Sequence, residues 1–331
     1  METLRPDECV EIAVVERSGF VESRHLGALV VVGPEGDTLL SLGNPNALVY
    51  GRSALKPFQA TAIIASGVNL TGEYAAIVAA SHTGTEDHVR LVRQLLHGAS
   101  LNADALGCPA DWPGDLKAQD ELVLRGEGKS PLYMNCSGKH AGMLLASVAN
   151  GWPTAGYLDP AHPMQKKIVE VIERFTGEKI AHSGIDGCGA PVHALSLVCL
   201  AKGIRTIAQA SPDSPFALYR AAAAVASSMR RYGWIIEGPG GNDTIVIDRL
   251  GLLTKQGAEG VMVMSTANGT TVALKVLDGN LRVATIVGLH ALAKAGAVSL
   301  ADINLVSREL HLDVYGGGRP VGEIRAVLTA Q

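Results

Sequence analysis

The order in which hydrophobic periodicities follow one another constrains this 331-residue chain most. Residues 11–16 and 25–33 are rich in Val, Ile and Ala, with a Ser-Gly turn between them. Gly33-Pro34-Glu35-Gly36-Asp37 then turns the chain into 38–42, so it opens as an antiparallel meander. From Ser53 onward the apolar residues recur with a period of about 3.6. That texture predicts helices over 56–66, 71–80, 86–97, 136–150, 162–175, 191–202 and 214–229. Strand patterns return at 244–248, 260–264 and 270–276, followed by a helix over 282–294. Residues 301–312 read as helix or loop, and 322–328 as a last strand. Strands at both ends can share one sheet while the helical block is inserted between them. The expected fold is α+β: an antiparallel sheet flanked by helices, with an inserted all-α part. The expected organisation is one domain over 1–331, with an α/β part at 1–52 plus 236–331 and a mainly helical part at 53–235.

Composition excludes several classes of function. The chain is 47% apolar and 18% charged, which rules out a disordered polymer. Its net charge of −4 lacks the basic excess of a nucleic-acid binder. No apolar run reaches the ~18 residues of a membrane span. The first residues, Met1-Glu2-Thr3-Leu4-Arg5-Pro6, carry no apolar signal core, so a cytoplasmic location is expected. Five cysteines, at 9, 108, 136, 188 and 199, are an odd number in a long chain and do not suggest a disulfide framework.

Four segments can carry chemistry. In Gly51-Arg52-Ser53-Ala54-Leu55-Lys56-Pro57, Ser53 falls near a helix start and Lys56 is its neighbour one turn on. A lysine in a dry pocket can take a serine's proton and make it a nucleophile. An N-cap serine followed by a solvated lysine is the competing reading. Ala80-Ser81-His82-Thr83-Gly84 offers a second hydroxyl able to relay a proton, or another cap. Asn135-Cys136-Ser137-Gly138-Lys139-His140 opens a helix, and Asp186-Gly187-Cys188-Gly189-Ala190-Pro191 is a glycine-rich turn. Cys136 and Cys188, if close, form a soft zinc site or are simply buried thiols. Lys255, in Thr254-Lys255-Gln256-Gly257, reads as a loop lysine: a substrate anchor, a second catalytic lysine or an exposed turn residue.

Taken in order, Arg52-Ser53-x-x-Lys56-Pro57, Ser81-His82-x-Gly84, Asn135-Cys136-Ser137-Gly138-Lys139-His140, Asp186-Gly187-Cys188-Gly189-x-Pro191 and Thr254-Lys255-x-Gly257 resemble the motifs of the asparaginase II family. This is the rhizobial-type, zinc-containing asparaginase with a serine β-lactamase-like fold. The resemblance runs from about residue 8 to 328. It implies hydrolysis of L-asparagine to L-aspartate and ammonia in a homodimer. It further implies two Ser–Lys pairs, Ser53 with Lys56 and Ser81 with Lys255, and a zinc ion on Cys136, Lys139 and Cys188. Arg52, His82, Asn135, His140 and Asp186 are then expected beside the substrate. Ser53 is the expected nucleophile and Lys56 its base, with Ser81 a competitor for the attack. The zinc is expected to be accessory.

Rival readings are another serine acyl hydrolase on the same fold, such as a β-lactamase or esterase, or a non-catalytic zinc or amino-acid binding protein. A metal-only amidohydrolase is a third. Against the first, no Ser-Asp-Asn string is present, and Lys255-Gln256-Gly257 stands where Lys-Thr-Gly is expected.

Overall fold

The computed structural model describes residues 2–328. A meander of β1 (Val10–Arg17), β2 (Phe20–Val32) and β3 (Thr38–Leu42) comes first, followed by the short strand β4 (Leu48–Tyr50). The helices α1 (Lys56–Ala65), α2 (Glu73–Ala79), α3 (Glu86–Gly98), α4 (Leu116–Leu124), α5 (Ser137–Ala149) and α6 (Pro163–Thr176) follow. Then come β5 (His182–Ile185), β6 (Pro191–Ser196), α7 (Leu197–Ala208), α8 (Ala217–Arg231), α9 (Gly233–Ile236) and α10 (Asn242–Leu250). The chain finishes with β7 (Leu253–Gly257), β8 (Val261–Ser265), β9 (Thr271–Val276), α11 (Ala284–Lys294), α12 (Leu300–Ser307), β10 (Asp313–Gly316) and β11 (Arg319–Ala326).

The fold is α+β. Both ends of the chain build one antiparallel sheet in the order β10-β11-β1-β2-β9-β8-β7, with β3 also on β2; β4, β6 and β5 form a small second sheet. The first hairpin closes through Ser18 and Gly19, both at positive φ (50° and 79°), the geometry whose twist suits a two-residue hairpin.

The central strands are buried on both faces, which explains their unbroken apolar runs. Ala28, Val30 and Val32 of β2, with Val261, Val263 and Ala273, face the helical block. Leu29 and Val31, with Met262, Met264, Val272 and Leu274, face a second core under α11 and α12. Side chains alternate across a strand, so each face needs its own cover. Each fully buried Val, Leu or Met contributes about 1.5–3 kcal/mol.

The structure corrects several sequence expectations. Residues 244–248 are not a strand but the middle of α10: Gly251, left-handed at φ 66°, ends that helix, and Ile245 and Val246 bury beneath the sheet. Residues 191–202 are not one helix. Pro191–Ser196 is the strand β6, and Ser196 caps α7 by accepting from the Cys199 N–H at 3.2 Å. The segment carrying Lys255 is the strand β7 rather than a loop, with Lys255 opposite Val263. Of 301–312, only the part up to Ser307 is helical.

Two glycines let the helices meet closely. A Cβ at Gly138 of α5 would lie 2.3 Å from the carbonyl oxygen of Ile77 in α2, and one at Gly142 would lie 2.6 Å from Val78 Cγ1. Replacing Gly138 with alanine must push the start of α5 away from the end of α2. We expect a loss of about 1–3 kcal/mol, read as a lowered Tm in thermal unfolding; an unchanged Tm would show that the two helices part freely.

Candidate active site

The contact of α5 with α2 sets the site. Ser53 lies in a 3-10 turn, Arg52–Leu55, that runs straight into α1, so Lys56 begins the helix beneath it. Arg52 stands at φ 49°, a left-handed backbone that a non-glycine residue adopts only under constraint. Its guanidinium holds Asp186 at 2.9 Å (Nε) and 2.8 Å (Nη2), which ties the Ser53 turn to the loop carrying Cys188. Both side chains stay partly exposed, and neither is among the residues lining the cavity described below.

Lys56 is 1% exposed. Its Nζ donates to the Ala80 carbonyl at 2.5 Å and to Ser81 Oγ at 2.8 Å. Burial pushes its ammonium down to about 8, with Lys255 and Lys139 adding to the fall and Cys136 opposing it. The hydrogen-bonded Ser–Lys pair is thus Lys56 with Ser81. Among the described residues, Ser53 Oγ makes no hydrogen bond, and the expected Ser81–Lys255 contact is replaced by another. Lys255 Nζ donates to Asp243 Oδ2 at 3.2 Å and to the Gln256 carbonyl at 2.9 Å, with both charged side chains fully buried.

Ser53 and Ser81 line one cavity of about 330 Å³, together with His82, Thr83, Asn135, Trp112, Tyr133, Glu237 and Gln256. His82 is spent on structure. Its Nδ1 accepts from the Gly84 N–H at 3.1 Å, so Nε2 carries the proton and donates to Ser137 Oγ at 2.9 Å. Burial, with His88 stacked alongside, holds it neutral. His140 is buried with Nδ1 2.6 Å from the Tyr157 hydroxyl, and it is not among the residues lining the cavity.

Behind Lys56, Cys136 at the start of α5 donates to Asn135 Oδ1 at 3.1 Å, and it lies near enough to Cys188 for each thiol to shift the other's titration. Lys139 Nζ donates to Cys188 Sγ at 3.2 Å. The Cys188 contact, with Lys56 and Lys139 close by, pulls the Cys136 thiol well below its ordinary value; the same contact pushes Cys188 up. Burial works against the Lys139 ammonium, but the two sulfurs outweigh it and hold it protonated. Among the described residues, no group of three or more His, Cys, Asp or Glu side chains is arranged to hold a metal ion. Two thiols and one amine, all buried, nevertheless fit a soft divalent ion, with the lysine a third donor once the ion has displaced its proton.

Glu237 is the site residue that sequence reasoning missed; it lies in a Gly/Pro-rich stretch that reads only as a turn. The Ser81 and Thr83 N–H groups donate to the carbonyls of Ile236 and Glu237 at 2.8 and 2.7 Å, so the two segments run side by side. Glu237 Oε2 accepts from the Asp243 N–H at 2.8 Å and Oε1 from Gln256 Nε2.

A buried lysine is thus bonded to a serine at one wall of a polar cavity. The model of the family described as L-asparaginase II matches residues 13–326, and the chain belongs to that family of asparaginase-type hydrolases. No curated protein matches it.

Burial, together with the nearby charge of Asp243, pushes the Glu237 carboxyl from 4.5 up to about 7. The folded chain then keeps a proton that the unfolded chain has lost. Its contribution to stability is complete below pH 4.5 and is lost as the pH rises through about 7. Glu237→Gln, a neutral isostere, should therefore gain Tm relative to wild type on going from pH 5 to pH 8. Thermal unfolding at both values reads this, and a pH-independent difference contradicts it.

Proposed function

We propose that this protein is an L-asparagine amidohydrolase that works through a Ser–Lys nucleophile. The observation that carries this reading is the buried Lys56, 2.8 Å from Ser81 Oγ, at the cavity that Ser53 also lines. Membership of the L-asparaginase II family supplies the substrate class. Ser53 Oγ, free of other hydrogen bonds among the described residues, attacks the side-chain amide carbon of asparagine. Its proton passes to Lys56 with Ser81 Oγ as relay, and backbone N–H groups at the helical turn stabilise the oxyanion. The intermediate collapses to an aspartyl ester, and the proton held by Lys56 leaves with ammonia. Water, deprotonated by Lys56, then cleaves the ester to give aspartate and free serine. Lys255, locked to Asp243, positions β7 at the edge of the cavity. A second reading, in which Ser81 itself attacks, is favoured by its direct bond to Lys56.

Cys136, Lys139 and Cys188 would hold zinc, which when bound supplies positive charge that orients the substrate. The serine β-lactamase-like topology and the homodimer remain part of this reading, on the strength of the family resemblance.

Ammonia release from L-asparagine tests the function. Ser53→Ala and Lys56→Met should each lower kcat at least about 1,000-fold. Mass spectrometry of a trapped aspartyl ester should place it on Ser53; an ester on Ser81, with Ser53→Ala still active, establishes the second reading. Nitrocefin turnover without asparaginase activity would point to a β-lactamase instead.

Chelation gives a separate expectation. Removing zinc should raise KM for asparagine by about 10-fold or more while kcat falls much less. Metal analysis should find one zinc per chain, lost in Cys136→Ser and Cys188→Ser. Loss of all turnover at saturating asparagine, with the fold intact by circular dichroism, would make the metal essential.

A further inference from the structure

The cavity has a charge pattern that the Ser–Lys chemistry does not use. Among the described residues no lysine or arginine lines it, and the charged lining groups are Asp111 and Glu237. Asp111 is exposed at the rim, where Oδ1 accepts from the Trp112 N–H at 2.9 Å and lies 3.9 Å from Lys129. Glu237 is different. It is half-buried, and it is held beside the Ser81 segment by the paired backbone of 81–83 with 236–237. Both carboxylate oxygens already accept from N–H groups, of Asp243 and Gln256, so its orientation is set before any ligand arrives. The charged groups packed around it are Asp243 of α10, which opposes its ionisation, and Lys255 of β7, which favours it. Lys255 is committed to Asp243, so the carboxylate has no cation of its own.

Beside it, Thr83 Oγ1 is a buried hydroxyl without a partner, on a residue that lines the same cavity. A buried polar atom without a partner calls for an explanation, and this one belongs to a residue on a cavity wall, where a ligand can supply the bond. Gly238 is what leaves that hydroxyl its space: a Cβ there, at φ 147°, would lie 2.1 Å from Thr83 Oγ1. The rings of Trp112 and Tyr133 line the cavity as well, and aromatic faces favour a cation. A pre-oriented carboxylate, an idle hydroxyl and aromatic rings, with no competing cation, make a receptor for a primary ammonium group.

We propose that Glu237, assisted by Thr83 Oγ1, anchors the α-ammonium of the substrate and so selects amides of α-amino acids over simple amides. The proposal rests on the amidohydrolase reading for its substrate and adds a residue for specificity. Glu237 binds in the ground state and the transition state alike. Its loss therefore acts on KM, and kcat stays within a few-fold.

The test compares L-asparagine with 3-carbamoylpropanoate, the same amide without its amino group, on the zinc-loaded protein. Glu237→Gln should raise KM for asparagine at least about 30-fold. KM for 3-carbamoylpropanoate should move less than about 3-fold. Glu237→Asp should restore part of the loss. Equal rises for both substrates, a fall confined to kcat, or an unchanged KM for asparagine each overturn the proposal. Calorimetry on the wild type provides a readout that needs no variant to fold. L-Aspartate should bind at least about 10-fold tighter than succinate, and its binding should release protons near pH 7 as Glu237 ionises against the ammonium. Equal binding of the two dicarboxylates, or none of aspartate, overturns the anchor. If the wild type releases no ammonia from asparagine, the amidohydrolase reading fails, and the aspartate–succinate comparison still decides the role of Glu237.

Discussion

Three lysine ammonium groups out of reach of water govern this structure. Lys56, Lys139 and Lys255 are at most 2% exposed. Removing such a charge from water costs several kcal/mol unless partners replace the hydration. Each lysine finds a different kind of partner: a carbonyl and a hydroxyl for Lys56, thiols for Lys139, a carboxylate for Lys255. Those partners come from the segment that follows α2, from the Cys188 loop and from α10. The need to satisfy three ammonium groups therefore draws together segments far apart in the chain. The same environments make the groups unlike one another. Lys56, with neutral oxygen partners, is pushed down, while Lys139 beside the sulfurs is held up.

The sheet and the glycine contacts supply the frame for this seam. Gly138 allows α5 to touch Ile77, which brings Cys136 and Lys139 close to Ala80 and Ser81. Gly257, at the end of β7, does the same on the other side: a Cβ there would lie 2.8 Å from the Gly51 carbonyl oxygen. The Ser53 turn is thus pressed against β7, and the left-handed Arg52 is part of fitting it there.

Much of this was legible before the structure. The long apolar run of β2 and the amphipathic helices α3 and α6 announced themselves by period, and the structure brings the Ser53, Lys56, Ser81, Cys136 and Cys188 motifs close together in space. What stayed hidden has physical causes. The β-branched run at 244–248 has strand propensity, yet capping and burial under the sheet make it helical. That misreading concealed Asp243, the partner of Lys255. Strands β4 and β5, of three and four residues, are too short to carry a periodic signal. In α4, Leu122 alone is buried while Leu116 and Leu124 face solvent, so no apolar stripe marks it. Glu237 sits among glycines and proline, where sequence reports a turn and nothing of the cavity beside it. Which lysine would bond which serine depended on β7 being a strand, and a glycine-bounded segment does not reveal that.

The pairing of β2 with β9 has a consequence for how this protein is made. Residues 27–32 bond to 271–276, roughly three quarters of the chain length away. Until β9 emerges from the ribosome, one edge of β2 has no partner, and one of its faces lacks the cover that α11 and α12 will provide. The nascent chain therefore displays a long, flat, apolar edge throughout the synthesis of the helical block, the kind of surface that recruits other chains. Non-local pairing of this kind closes slowly, so the edge stays open longest in the part of the sheet that the finished molecule buries most completely.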